Sequence, residues 1–183
     1  MESILFRMKL KGVINEDEED VYRFGLECLL LEMIHYSSYI VISFILKMTI
    51  PMLVSAMVLI PLRRKSVGYH ARTRGGCYLF SCTIVIVVCL LNKIIFPLWL
   101  SIITLLLSNV IVIALAPVEN ENRSLDQTEW KKFRKQALVI LVIADVAVII
   151  SYIADWVIFQ WLLNGVVIAA QLTLLGKLQT KCK

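Results

Sequence analysis

The chain has 183 residues, 59% of them apolar and 18% charged, with a net charge of +5 and a mean hydropathy of +0.79. A soluble domain lies nearer half apolar and a quarter charged, and the apolar residues here come in long blocks. Composition therefore excludes a soluble globule and predicts an all-α, polytopic integral membrane protein of about six transmembrane helices. Five cysteines, Cys28, Cys77, Cys82, Cys89 and Cys182, are an odd number without regular spacing, which argues against a disulfide framework.

Residues 1–25 read as a cytoplasmic N-terminal region. In residues 1–12, Ile4, Leu5 and Met8 fall on one helical face, and Arg7, Lys9 and Lys11 suit lipid headgroups. Asn15 with Glu18 three residues on suits a helix N-cap, and the acids around them suit a first turn. A solvated helix start explains this run without the extra ligands that a metal site would need. The first membrane segment, 26–46, carries Glu27, Glu32 and His35. Ionisable groups inside a membrane point to function; Glu32 and His35, three apart on one face, could equally satisfy each other. The second segment, 48–62, contains Pro51 and Pro61, and the third is 78–91. At about 15 residues each they would rise only some 20–23 Å, against about 30 Å of hydrocarbon. The fourth segment is 94–116. A cytoplasmic loop, 117–136, follows, with a short helix over 124–136 that ends in Lys131, Lys132, Arg134 and Lys135. The fifth and sixth segments, 137–153 and 156–175, are separated only by Ala154 and Asp155, so they form a hairpin. The whole chain, 1–183, is expected to form one membrane domain.

Between the second and third segments lies 63–77, RRKSVGYHARTRGGC. It is the most basic interruption between two apolar runs, and it holds His70 and Cys77. A thiol is a useful nucleophile only as its thiolate, and an imidazole can take the proton. In one continuous helix these two positions would stand about 10 Å apart, too far for proton transfer. If they meet, the chain breaks between them, and Gly75 with Gly76 is the obvious place because glycine tolerates unusual backbone angles. Cys77 would then open the next helix. Its first-turn amides would favour a thiolate and could cradle an oxyanion, with Arg72 and Arg74 adding positive charge. The bland alternatives are a hydrated histidine at the membrane edge and a small packing cysteine. A metal site fits less well, because His35 is the other histidine and it lies in a different apolar segment.

Six crossings put both ends of the chain on one side. That side holds all of the 19 Lys and Arg residues except Lys47 and Lys93. The positive-inside rule then makes the termini and the reactive stretch cytoplasmic, where thiols stay reduced. The same distribution explains the basic balance without a nucleic-acid partner.

The residues that carry a family resemblance are spread along the chain. They are Pro61, Leu62, Arg63 and Arg64; Gly68, Tyr69, His70 and Ala71; Cys77, seven after the histidine; Ala116, Pro117, Val118, Glu119 and Asn120; and Lys131, Lys132, Phe133 and Arg134. The acidic run at 15–20 and Tyr22, Arg23, Phe24, Gly25, Leu26 and Glu27 also match. In these the chain resembles the AgrB family, membrane cysteine endopeptidases of Gram-positive quorum sensing. Val67 departs from the pattern, since members often carry two glycines before the Tyr-His pair.

The resemblance implies cleavage of a short AgrD-like propeptide near its acidic C-terminal tail. Cys77 would be the nucleophile and His70 the base, and the peptide would be held as a thioester and released as a cyclic thiolactone or lactone. Arg63 and Gly68 match positions needed for activity. Lys131 and Lys132 match a basic loop tied to processing, and with Arg134 they would bind the acidic tail. Gly75 and Gly76 would support the nucleophile or its oxyanion. No cofactor and no metal are expected. The partners would be the precursor peptide and membrane lipids, and a homodimer is allowed. Two other classes compete: a small peptide exporter lined by Glu32, His35, Asp145 and Asp155, and a membrane scaffold with an unreactive Cys77.

Overall fold

The computed structural model describes residues 18–66, 73–118 and 126–181, together with Leu5, Arg7, Lys9 and Gly12. Six long helices order them: α1 (Glu19–Ile45), α2 (Thr49–Ser66), α3 (Arg74–Leu91), α4 (Leu98–Leu115), α5 (Gln127–Ala154) and α6 (Trp156–Lys181). The described residues contain no strand, only an isolated bridge at Val118. The expected all-α, polytopic membrane architecture is what the chain adopts. α1, α4, α5 and α6 are long and apolar enough to cross a membrane by length and composition. The apolar part of α3, Gly75–Leu91, is shorter, and α2 carries Arg63, Arg64 and Lys65 in its last turn. At 18 residues each, α2 and α3 rise about 27 Å, close to a hydrocarbon thickness of about 30 Å. They are longer than their apolar runs suggested.

The chain divides into two compact units, residues 1–41 and 42–183. In the first, Lys9 pairs with Glu19, and Arg23 reaches the same carboxylate at 3.2 Å from one turn away. The ring of His35 lies 3.4 Å from the Tyr39 hydroxyl through Nδ1. Leu29, Leu30, Met33 and Ile34 are all exposed, as expected of side chains that face lipid.

The second unit is built around α6. Phe159, Leu163, Val166, Ala169 and Ala170 of this helix form its core with Val58 and Leu62 of α2, Val112 of α4, and Ala137, Leu141, Ala144 and Val148 of α5. The α5 positions recur at alternating steps of four and three, the spacing of a seam between packed helices. Val88 of α3 packs on Ile168 and Leu172. Outward positions such as Val142, Ile143, Ile149 and Ile150 stay exposed and apolar. The core residues on these helices are often small, which lets backbones approach when lipid supplies no hydrophobic drive. Gly165 is the tightest case: a Cβ there would stand 2.5 Å from the Ser55 carbonyl oxygen.

A buried polar knot ties one end of this bundle. The Ser55 hydroxyl donates to the Trp161 carbonyl at 2.8 Å. The Asn92 amide donates to that hydroxyl at 2.9 Å, and the Asn164 amide donates to Asn92 Oδ1 at 2.9 Å. Close by in the chain, Gln160 Nε2 donates to the Ser101 hydroxyl at 3.0 Å and to the Phe96 carbonyl at 3.3 Å. Buried polar groups are costly unless paired, and each of these amide donors finds an acceptor. Halfway along α4 and α5, Asn109 Nδ2 donates to Asp145 Oδ2 at 3.0 Å.

The turn between α5 and α6 is as short as the sequence implied. The Asp155 carboxylate accepts from the Val157 and Ile158 amides at 2.7 and 3.3 Å and so caps α6. α5 departs from expectation in one respect. The polar segment 127–136 is not a separate short helix but the first part of one 28-residue helix, which begins at the Asp126 cap.

Candidate active site

The stretch 63–77 proves largely helical at both ends. Arg63, Arg64, Lys65 and Ser66 complete the last turn of α2, where cations suit the negative end of the helix dipole. Arg74 to Cys77 form the first turn of α3. His70 and Gly68 lie in 67–72, outside the described residues. His70 is three residues from Thr73, a tether of at most about 11 Å.

Cys77 is set by its helix start. Thr73 is the N-cap, in an extended conformation (φ −116°, ψ 149°), and its hydroxyl accepts from the Gly76 N–H at 3.0 Å. The Cys77 N–H donates to the Thr73 carbonyl at 3.0 Å. The chain therefore enters the helix at Arg74, and Cys77 is its fourth helical residue and not its first. Thr73 supplies the punctuation that the two glycines were expected to supply, since a threonine cap satisfies an orphan first-turn donor. With the Gly76 and Cys77 amides so engaged, the Arg74 and Gly75 amides are those that helix geometry leaves outside the intrahelical ladder. A Cβ built on Gly75 would meet nothing within 4 Å, so the first turn borders open space. Cys77 itself is half-buried, as is Cys82, while Cys89 is fully buried.

A basic rim surrounds this end of the bundle. Arg63 is half-buried and Arg64 exposed on α2, and Lys131, Lys132 and Lys135 are exposed on the first turns of α5. Lys65 Nζ stands 5.0 Å from the centre of the Phe133 ring, a cation–π contact that joins α2 to α5. The Val118 N–H donates to the Ser66 carbonyl at 3.0 Å, which joins the α4–α5 connection to the end of α2.

Arg134 differs from its neighbours. Nη1 donates to the Ala116 carbonyl at 3.0 Å and Nη2 to the Ile113 carbonyl at 3.1 Å. Its guanidinium lies 5.3 Å from the centre of the Trp130 ring. The structure thus groups Arg63, Lys131, Lys132 and Arg134 at the end of the bundle where α3 begins, with Gly75, Gly76 and Cys77 on α3 itself. Sequence reasoning missed Thr73 and the Ser66–Val118 bond. Thr73 was signalled by a cap-forming residue just before the glycines. The Ser66–Val118 bond joins residues far apart in sequence and has no local signal.

Chemically, this end of the molecule presents a half-buried thiol on a capped first turn, beside open space and within a cationic field. A sequence model of the AgrB family, accessory gene regulator B, matches residues 2–176. No curated protein matches the chain. No solved structure matches it either.

Proposed function

The chain belongs to the accessory gene regulator B family, whose members process peptides, and from that premise we propose that it is a membrane cysteine endopeptidase acting on an AgrD-like precursor. In this reading His70 takes the proton from the Cys77 thiol. The thiolate attacks the scissile carbonyl, and the Arg74 and Gly75 amides, outside the intrahelical ladder, are available to steady the oxyanion. The C–N bond breaks, the proton held by His70 passes to the leaving amine, and the acidic tail departs. The remaining peptide is a thioester on Cys77. A cysteine or serine of the same peptide then attacks that carbonyl and gives its proton to His70, Cys77 leaves as thiolate, and a thiolactone or lactone results. No electrons change hands and no cofactor is needed. Tethering gives the internal nucleophile a large effective concentration over water.

The observation that carries this reading is the placement of Cys77. It sits on the capped first turn of α3, at the end of the bundle where Lys65, Lys131 and Lys132 gather. Exposed Lys131 and Lys132 suit an acidic tail, and Arg63 and Gly68 match positions that the family needs for activity. The cationic end faces the cytoplasm of a bacterial cell, and the multi-pass chain holds the site at the membrane surface.

The deciding experiment is co-expression with an AgrD-type precursor. Cys77→Ala is expected to insert normally and to abolish cutting. Cys82 lies five residues, about 7 Å, deeper along α3 and away from the first-turn amides, so Cys82→Ser is expected to cut at the normal rate. An active Cys77→Ala with a dead Cys82→Ser would overturn the assignment.

A further inference from the structure

Charge and position alone would make Arg134 a ligand for the acidic tail, like Lys131 and Lys132 one turn before it. Its hydrogen bonds point elsewhere. Both terminal nitrogens are committed to α4, to the Ala116 and Ile113 carbonyls at 3.0 and 3.1 Å. The last carbonyls of a helix are orphans, and a planar guanidinium fork can serve two of them where an ammonium serves one point. Two of its five N–H donors serve that cap, and a bidentate carboxylate would compete for the same fork.

The backbone that Arg134 holds runs directly into Val118, whose N–H donates to the Ser66 carbonyl at 3.0 Å. Ser66 is the last residue of α2 and fully buried, and its hydroxyl is turned back on the Leu62 carbonyl at 2.8 Å. Phe133, beside Arg134 in sequence, meets Lys65 beside Ser66. The start of α5 therefore grips the end of α2 by two routes. His70 follows Ser66 by four residues, a tether of at most about 14 Å, so the anchorage of Ser66 limits where that segment can reach.

We propose that Arg134 is a positioning residue: through the 113–118 backbone and the Val118–Ser66 hydrogen bond it fixes the point from which the His70 segment departs, and it does not hold the acidic tail. This rests on the assignment of His70 and Cys77 as base and nucleophile.

The test uses the full chain in lipid vesicles with two AgrD-type precursors, one with its acidic tail and one with the tail acids changed to amides. The rate of cut-tail release, per Cys77 able to be acylated, is followed against precursor concentration. Arg134→Ala is expected to lower the maximal rate about 10- to 100-fold, the scale of a misplacement near 1 Å. KM is expected to stay within about twofold, as for loss of an interaction made only in the transition state. The loss is expected to be the same for both precursors, and Arg134→Lys is not expected to rescue it. Lys131→Ala with Lys132→Ala is expected instead to raise KM for the acidic precursor alone. Val118→Pro removes the donor to Ser66 and leaves Arg134 in place, and it is expected to reproduce the Arg134→Ala loss. An Arg134→Ala variant with a raised KM and an unchanged maximal rate, on the acidic precursor only, would overturn the inference. So would a Val118→Pro variant of normal rate, or an Arg134→Ala loss that disappears once rates are taken per acylatable Cys77. Cutting that survives Cys77→Ala would instead remove the peptidase reading, and this inference with it.

Discussion

Gly165→Ala offers a quantitative check on how closely α2 and α6 approach. The new Cβ would stand 2.5 Å from the Ser55 carbonyl oxygen and 3.3 Å from the Ser55 carbonyl carbon, and real Cβ contacts essentially never fall below 3.0 Å. The obstacle is backbone in a packed core, so no side chain can swing aside and the helices must part by about half an ångström. Overpacking of this kind costs about 1–3 kcal/mol. The Ser55–Trp161 and Asn92–Ser55 hydrogen bonds, 2.8 and 2.9 Å, stretch with the separation and add about 1 kcal/mol at the average of roughly 0.6 per bond measured within membranes. Replacing glycine by alanine within a helix returns about 0.5–1 kcal/mol. The net expectation is a loss of about 1–3 kcal/mol, or roughly 2–10 °C in melting temperature for a domain of this size. The assay is labelling of Cys89, fully buried in the native state, by a thiol-reactive dye as detergent-solubilised protein is heated, in a variant that keeps Cys89 as its one cysteine. Gly25→Ala is the control, because a Cβ there meets nothing within 4 Å, and it is expected to melt with the parent or slightly above it. A Gly165→Ala protein that melts with the parent would refute the close approach of α2 and α6.

Removing the helix cap at the nucleophile, by Thr73→Ala, is expected to cost about 1 kcal/mol locally and to slow alkylation of Cys77, while Thr73→Ser behaves as the parent; equal alkylation rates in all three would separate the cap from the reactivity. A precursor whose ring-forming residue is changed to Ala is expected to be cut slowly and to accumulate on Cys77 as an adduct released by hydroxylamine, while His70→Ala gives neither adduct nor cut tail. Mass spectrometry reads both, and abundant cut tail with no adduct would favour direct hydrolysis. In a cysteine-free background of intact cells, a cysteine at position 93 is expected to react with an impermeant reagent and one at position 131 is not; the reverse pattern would invert the proposed orientation.

Much of the architecture was legible because membrane helices announce themselves as apolar runs, and all six runs became helices. Their ends were less legible, because hydropathy marks where lipid stops and not where hydrogen bonding stops. Arg63, Arg64 and Lys65 look like loop but continue α2, since basic residues are good helix formers and suit a helix C-terminus. The segment 127–136 was read as a separate short helix for the same reason, and not as the start of α5. Asp126 with Glu129 three residues on is a capping signal that could have revealed the true start of α5. At the candidate site, Cys77 could be singled out from its place after two glycines, but the start of its helix was misjudged, because those glycines drew more weight than the threonine before them. The role that the structure gives Arg134 could not be read locally, since its partners, the Ile113 and Ala116 carbonyls, belong to the preceding helix.

The central position of α6 also bears on how the protein is made. Of the six helices it is the last to leave the ribosome, yet the buried faces of α2, α4 and α5 are completed by it. Until it arrives, Ser55, Asn92 and Ser101 must wait in the membrane without Trp161, Asn164 and Gln160. The earlier helices are therefore committed to the bilayer as a loose, polar-seamed assembly. The short turn at Asp155 then delivers α6 as the second arm of a hairpin with α5, directly beside the helix whose seam of Ala137, Leu141, Ala144 and Val148 receives it. Assembly of this bundle is thus timed by synthesis of its last helix. A ribosome stalled before residue 156 would leave inserted helices without a folded core, a natural substrate for membrane quality control.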